Sequence, residues 1–426
     1  MVHFGAWLVG LFFLLLLVVP TTLQAERGAF LALLFLGSIL VLIRSPTRWR
    51  VSKPLLFWLA ICVGYSSFSI FWGVLNDAPG AISVSTVYVF WPILYLYFIG
   101  FSKNIEFYFF LAKILLVGIF IAAISGLLLV ASGFYPALGI LDSYFELMGG
   151  GLGLHQNFIA FSLNNMGTII YGLPFLVTLL MLGGRALHFS SKWRFFSVVT
   201  LLVSILAMII SGRRAFVVVG LLSVPLGLML MQWSGVRNIN FKTLTKILGV
   251  VLLVAVLFLL LGSVALDLNF SGLLDNFLTG FDFDDQNNIS SARRAEQFGA
   301  LMGEWQSSPI LGFGHGSAAS SAPGDVMPWA YELQYIALLF QTGLLGLFIY
   351  GSSVVWLMYQ MVALSRKYVD LAALLLPAMV GLVCFLIANA TNPYLSKFDY
   401  LWTLFLPIGL ANIGLLRNNS IPLSRI

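Results

Sequence analysis

Apolar residues gather in long runs along this chain, and shorter polar stretches separate them. A helix needs about 20 mainly apolar residues to cross the hydrocarbon core of a membrane, and twelve runs reach or approach that length. They fall near 5–24, 29–43, 55–75, 84–101, 106–132, 158–181, 195–210, 214–232, 246–266, 332–360, 370–390 and 399–416. The pattern predicts an all-α integral membrane protein with about twelve transmembrane helices, forming a single polytopic domain over residues 1–426.

Two polar intervals are long, and both are predicted to be loops between membrane spans. The first covers 132–157, is rich in glycine and contains His155. The second covers 267–331 and includes the longest polar stretch of the chain. Long loops on compact domains usually carry function, although a solvated linker is the alternative interpretation.

The positions of lysine and arginine predict the orientation of the chain. Fifteen of the 22 lie in one set of alternate loops and the C-terminal segment, six lie in the other set, and Lys113 lies within a run. Since cytoplasmic loops carry the excess of positive charge, both termini are predicted to be cytoplasmic. Both long loops then lie on the outer side.

The composition excludes a water-soluble domain. Apolar residues make up 60% of the chain and charged residues 9%, whereas a soluble surface needs about a quarter or more charged residues. The net charge of +6 is spread over short loops, which is typical of a topology signal rather than of nucleic-acid binding. Cys62 and Cys384 lie in apolar runs, so neither a disulfide nor a thiolate metal site is expected. No cleavable signal peptide is expected either, because the first run lacks a basic leader and a small-residue cleavage site.

The first candidate for chemistry is a pair of arginines, Arg213 and Arg214, in a tight turn between two apolar runs. An arginine near the bilayer centre costs about 2.5–3.5 kcal/mol on insertion scales. One interpretation is that both side chains extend to the membrane interface. The other is that they bind an anion, because guanidinium groups match phosphate oxygens with paired hydrogen bonds.

A second pair, Arg293 and Arg294, begins a predicted amphipathic helix in the large loop. The apolar positions that recur at helical spacing are Phe298, Leu301, Met302 and Trp305. Ser290 or Ser291 is predicted to cap the helix, and Pro309 and Gly312 to stop it. Arginine is unfavourable in the first helical turn, which favours an anionic partner for the pair.

An acidic run at 281–285, FDFDD, lies just before this helix. Ion pairs between these carboxylates and Arg293 or Arg294, within the protein, are the alternative to an anionic ligand. Clustered carboxylates also suit a divalent cation, but the spacing is weak evidence, and a solvated acidic patch is the preferred interpretation. No metal or other cofactor is predicted.

Two further residues of the large loop are candidates. His315 lies in the glycine-rich stretch GFGHG, predicted to be an exposed, flexible turn whose backbone amides are able to approach an anion. Because no strand precedes it, this stretch is not a nucleotide-binding fingerprint. Glu332 stands where an apolar run begins at the outer interface. It is either an ordinary acid of a first helical turn or a carboxylate that accepts a proton from a substrate hydroxyl.

These residues resemble three motifs of the O-antigen ligase and polymerase superfamily of polytopic membrane proteins. Ser211 to Ala215 resembles the serine-arginine turn between two central spans, with Arg214 the better match. The outer-loop motif is matched by Arg293 or Arg294 followed by Ala300, Trp305, Pro309, Gly312 and Gly314. The motif that enters the next span is matched by Tyr335, Ile336 and Gly343. The resemblance is specific over residues 211–346.

One departure from the family pattern affects the expected activity. The family's histidine falls on Glu332, and its asparagine falls on Leu333. Ligases of the family are thought to depend on that histidine. The resemblance therefore implies a Wzy-type polysaccharide polymerase with a GT-C-like glycosyltransferase architecture in the bacterial inner membrane. The alternatives are an O-antigen ligase acting on lipid A-core and, from another class, a transporter or flippase of lipid-linked glycans.

The resemblance also implies a mechanism, which is metal-independent, inverting glycosyl transfer on the periplasmic face. Undecaprenyl diphosphate-linked oligosaccharides would be both donor and acceptor, within the membrane lipid. Arg214 and Arg293 or Arg294 would hold the diphosphate, and Glu332 would deprotonate the acceptor hydroxyl. The implied substrate-binding residues are Arg213, His315, Tyr335, Trp305 and His155. A chain-length regulator is a further implied partner, and nucleic acid is not.

Overall fold

The computed structural model describes residues 2–45, 49–133, 135–155, 158–183, 190–236, 289–321 and 327–419, together with positions 245 and 249. Helix dominates these residues, as the apolar runs predict. Every predicted run other than 246–266, of which only position 249 is described, contains a helix.

The helices before the large loop are α1 (Val2–Val18), α2 (Gln24–Arg44), α3 (Lys53–Leu75), α4 (Ala81–Ser85), α5 (Trp91–Ile99), α6 (Ile105–Ser132), α7 (Asp142–Leu147), α8 (Met166–Met181), α9 (Ser191–Ile210) and α10 (Arg214–Trp233). Those after position 288 are α11 (Ile289–Trp305), α12 (Gln334–Lys367), α13 (Val369–Asn389) and α14 (Trp402–Asn419). Short 3-10 turns lie at Pro136–Leu141, Tyr394–Ser396 and Phe398–Tyr400.

Nine helices within the described ranges are long and apolar enough to cross a membrane, and the shorter apolar helices Gly5–Val18 and Met166–Met181 accompany them. The chain is therefore a multi-pass membrane protein. The count of twelve spans stays a prediction, since only position 249 of the run at 246–266 is described.

A β-hairpin departs from the all-α expectation. Strands β1 (Gly151–His155) and β2 (Phe158–Ser162) pair antiparallel, with Gly151 opposite Ser162 and His155 opposite Phe158. The predicted loop 132–157 thus contains regular structure. The predicted span 158–181 begins as a strand, and helix α8 starts only at Met166. Strand β2 contains Phe158, Ile159 and Phe161, whose residue types are enriched in strands.

The helices group into two compact units. The first unit comprises Met1–Arg48, Asn104–Leu278 and Met361–Phe385. Helix α6 is central to it and packs against α1, α8 and α9. Its side chains Leu115, Leu116 and Ile119 are fully buried, as expected for a helix that is apolar on every face.

The second unit comprises Trp49–Lys103, Thr279–Gln360 and Leu386–Ile426. It contains α3, α4, α5, α11, α14 and the first part of α12. A π-helical turn, Thr86–Phe90, joins α4 to α5. Pro92 follows this turn and has no N–H to donate to the preceding helical turn, which accounts for the local widening. This unit carries most of the candidate residues.

Candidate active site

Helix α11 is the amphipathic helix predicted from the large loop. Gln297 and Leu301, one turn apart on one face, are buried, whereas Phe298 is 48% exposed. The apolar stripe of this helix is therefore buried only in part. The predicted caps are wrong, because the helix begins at Ile289 and so includes both Ser290 and Ser291.

The central feature of the site is an ion pair between Arg294 and Glu332. The Nε atom of Arg294 donates to the Oε2 atom of Glu332 at 2.7 Å, and the side chains are 27% and 39% exposed. The structure thus brings together two residues that the sequence named separately. The alternative partners, Asp282, Asp284 and Asp285, lie outside the described residues.

Glu332 itself lies just before α12 rather than in its first turn. Its carbonyl accepts a hydrogen bond from the N–H of Gln334, the first helical residue, at 3.0 Å. Its own N–H donates to the side-chain oxygen of Gln297 at 3.1 Å. Both the backbone and the carboxylate of Glu332 are therefore bound to the same face of α11.

A small apolar core fixes α11 against the start of α12. Its buried members are Leu301, Ala319, Tyr331, Ala337 and Phe340, with Trp305 packed against them. The hydroxyl of Tyr331 accepts a hydrogen bond from the N–H of Ala319 at 2.6 Å. Burial raises the pKa of this hydroxyl above its ordinary value. Tyr331 is thus a neutral anchor directly before Glu332.

The indole of Trp305 was expected to bind substrate. Its Nε1 atom is buried and has no hydrogen-bond partner among the described residues. The neighbouring Glu304 accepts two hydrogen bonds from Ser320, one from its N–H at 2.8 Å and one from its hydroxyl at 2.7 Å. These contacts hold the end of α11 to the segment that precedes Glu332.

Helix α12 is broken at Gly343, and the stretch 309–314 fills the break. Gly343 has φ 63° and ψ −171°, which is open to glycine alone. Two backbone N–H groups after the break and two carbonyls before it are bonded to this stretch. The four bonds run from Leu344 to Pro309 (2.9 Å), from Leu345 to Ile310 (3.1 Å), from Phe313 to Phe340 (3.1 Å) and from Gly314 to Gln341 (2.7 Å). The glycine-rich stretch is therefore a packed structural element.

His315 is fully buried, so the expectation of an exposed turn is wrong. Its Nε2 atom lies 2.9 Å from the hydroxyl of Tyr350, and its ring stacks on Tyr88 with centroids 4.0 Å apart. Burial lowers the pKa of His315 to about 3, so the ring is neutral at physiological pH. A close approach of Gly314 to the backbone of Gly73 explains why the sequence needs glycine here.

The remaining candidates occupy three other places. The hydroxyl of Tyr335 donates to the carbonyl of Leu386 at 2.6 Å, which ties the start of α12 to the end of α13. His155 ends strand β1. In the first unit, Gly212 takes a positive φ of 62° in the turn between α9 and α10. Arg213 precedes α10, and Arg214 is its first residue, so the predicted arginine turn is confirmed.

No protein-family model matches this chain, and no curated protein matches it. The resemblance to the O-antigen ligase and polymerase superfamily therefore rests on the motif residues alone.

Sequence reasoning missed one residue of this site, Gln297. A glutamine on an amphipathic helix is ordinarily a solvent-facing residue, but this one is only 3% exposed. Its spacing of three from Arg294 places both on one helical face. That spacing was the available signal, although it becomes informative only when Glu332 is known to lie opposite.

The arrangement has two chemical capacities. The carboxylate of Glu332 is able to accept a proton from a bound hydroxyl. The guanidinium of Arg294 uses Nε for Glu332 and carries four further N–H donors, which suit phosphate oxygens. A proton acceptor and an anion ligand thus lie side by side in a partly exposed position.

Proposed function

We propose that this chain polymerises undecaprenyl diphosphate-linked oligosaccharide repeat units of the O-antigen type. The supporting observation is the Arg294–Glu332 pair, 2.7 Å apart and partly exposed at the entry to a membrane helix. Glycosyl transfer from a lipid diphosphate requires both a proton acceptor for the incoming hydroxyl and a cation for the leaving diphosphate. This pair supplies one of each.

The proposed step is an in-line displacement with inversion at the anomeric carbon. The acceptor hydroxyl gives its proton to Glu332 while its oxygen forms the new glycosidic bond. The bond between the anomeric carbon and the diphosphate oxygen breaks, and its electron pair leaves with undecaprenyl diphosphate. No metal or other cofactor is part of the proposed step.

The arginines act on the leaving group in this proposal. Negative charge grows on the diphosphate as its bond to the sugar breaks, so a guanidinium stabilises the transition state more than the ground state. Arg294 is favoured over Arg293 for this role because it contacts Glu332. Arg214 is proposed as a further diphosphate ligand from its sequence motif alone.

The proposed location follows from the distribution of positive charge. We place the protein in the bacterial inner membrane, with both termini in the cytoplasm and the Arg294–Glu332 pair on the periplasmic side. Lipid-linked donor and acceptor are its proposed partners, together with a chain-length regulator.

A transporter is the rival from another class, and the break in α12 bears on it. Discontinuous helices of transporters bind substrates and ions with their free backbone groups. Here the stretch 309–314 forms hydrogen bonds with two backbone carbonyl groups before Gly343 and with two backbone N–H groups after it. The break therefore resembles a rigid joint more than an ion site, which favours the enzyme.

The substrate requirement tests the proposal. The purified protein is reconstituted in vesicles with lipid-linked repeat units and a chelator, and products are separated on a gel. A polysaccharide ladder from repeat units alone is the expected result. Glycan transfer only when lipid A-core is added would instead identify a ligase. The absence of product in both conditions would favour the transporter.

A further inference from the structure

Gln297 contacts the backbone of the proposed base, whereas Arg294 contacts its carboxylate. It lies one helical turn after Arg294, and its side-chain oxygen accepts the N–H of Glu332 at 3.1 Å. Leu301, a further turn along the same face, is fully buried in the apolar cluster that also contains Tyr331. Two successive turns of α11 thus contact Glu332, and the next turn belongs to the same apolar cluster as Tyr331.

The amide of Gln297 needs an explanation, because it is only 3% exposed. A buried polar group is unfavourable unless it is hydrogen-bonded. An apolar side chain at this position would pack on the same face without burying a polar group, as Leu301 does. The amide instead satisfies the N–H of Glu332, which precedes α12 and so has no partner within that helix.

The two contacts restrain Glu332 in complementary ways. The bond to Gln297 fixes the backbone of the residue, and the bond from Arg294 fixes the end of its side chain. With both ends held, rotation about the side-chain bonds no longer moves the carboxylate freely. A general base must lie within hydrogen-bond reach of its proton, and a misplacement of about 1 Å can cost about 100-fold in rate.

We propose that Gln297 is a positioning residue that sets the location of the Glu332 carboxylate for proton abstraction. The proposal rests on the proposed function for its effect on catalysis. Gln297 acts through the backbone of Glu332 and contacts no reacting atom. Its loss should therefore lower kcat and leave the KM for lipid-linked substrate nearly unchanged.

The test compares Gln297→Met with the wild-type protein in two measurements. Methionine keeps the length and volume of the side chain but lacks the amide oxygen. Ladder synthesis by Gln297→Met should fall about tenfold or more in kcat, with KM within about twofold. Hydrogen exchange at the Glu332 amide, read by mass spectrometry at single-residue resolution, should become faster because the amide loses its acceptor.

Two further variants serve as controls. Gln306→Met makes the same change at an exposed position just after α11, and it should alter neither measurement. Gln297→Glu keeps an oxygen acceptor and should keep the Glu332 amide protected. If Gln297→Met does not fold, the wild-type protein still tests the contact, because exchange of its Glu332 amide at the rate of an unprotected peptide would overturn the bond to Gln297.

The outcomes separate this proposal from the proposed function. Unchanged exchange of the Glu332 amide in Gln297→Met would overturn the attachment of Glu332 to Gln297. Exchange of this amide in Gln297→Glu as fast as in Gln297→Met would overturn it as well. Faster exchange with normal kcat, in an assay where Glu332→Gln is inactive, would overturn the positioning role. If the wild-type protein makes no polymer, the proposed function fails, and the exchange result alone then supports or overturns the placement of Glu332.

Discussion

Gly343 in helix α12 lies so close to the carbonyl of Ile310 that any side chain on this glycine would overlap that oxygen. Its φ of 63° is also strained for every other residue type. The contact joins the stretch 309–314 to the helix that leads back to Glu332. The helix that follows Glu332 is therefore joined to the stretch 309–314 at a backbone junction that depends on one glycine.

The first prediction concerns this junction. Gly343→Ala should destabilise the second unit by about 1–3 kcal/mol or more, because it combines a strained backbone with a steric overlap. The measurement is the thermal unfolding midpoint in detergent. Gly351→Ala is the matched control, since it lies in the same helix with open space around it, and it should be neutral or slightly stabilising. Equal midpoints for both variants would contradict the described junction.

The second prediction separates the two arginines of α11. Arg294→Ala should abolish most ladder synthesis, because it removes both the contact to Glu332 and the proposed diphosphate ligand. Its unfolding midpoint should change little, since a partly exposed ion pair contributes only about 0–1 kcal/mol. Arg293→Ala is the control, and it should retain more activity. The opposite order of the two activities would assign the role to Arg293 instead.

The third prediction concerns acid stability. The pKa of His315 is lowered to about 3 in the folded protein, from 6.5, so the unfolded chain binds its proton more readily. Stability from this group is therefore present above pH 6.5 and falls as the pH drops toward 3, by up to about 1.4 kcal/mol per pH unit. The unfolding midpoint of the wild-type protein should decline between pH 7 and pH 4.5 more steeply than that of His315→Gln. Parallel declines would argue against the buried neutral histidine.

The membrane architecture was predictable because a membrane-spanning helix needs a long run of apolar residues, and such a run is visible in the sequence. The runs at 106–132 and 370–390 each coincide with a described helix to within a residue or so. The β-hairpin was not predictable in the same way, because its strands lie within a glycine-rich interval and the start of an apolar run. The break at Gly343 was hidden as well, since a glycine inside an apolar run is ordinary in membrane helices.

The candidate site was only partly predictable for a similar reason. Arg294 and Glu332 each looked unusual in a very apolar chain, so each was named. Their contact spans 38 positions and depends on how α11 packs, which no local pattern specifies. His315 was misjudged because a glycine-rich stretch usually indicates an exposed turn, whereas here the glycines allow backbones to approach closely.

The most direct test of the account is ladder synthesis by Glu332→Gln in the reconstituted assay. Glutamine keeps the shape of the side chain and removes its capacity as a base. A general base contributes about 10²–10⁴-fold to a rate, so polymer synthesis should fall at least about 100-fold while the unfolding midpoint stays close to that of the wild-type protein. A ladder formed at the wild-type rate would show that Glu332 is not the base and would contradict the proposed mechanism.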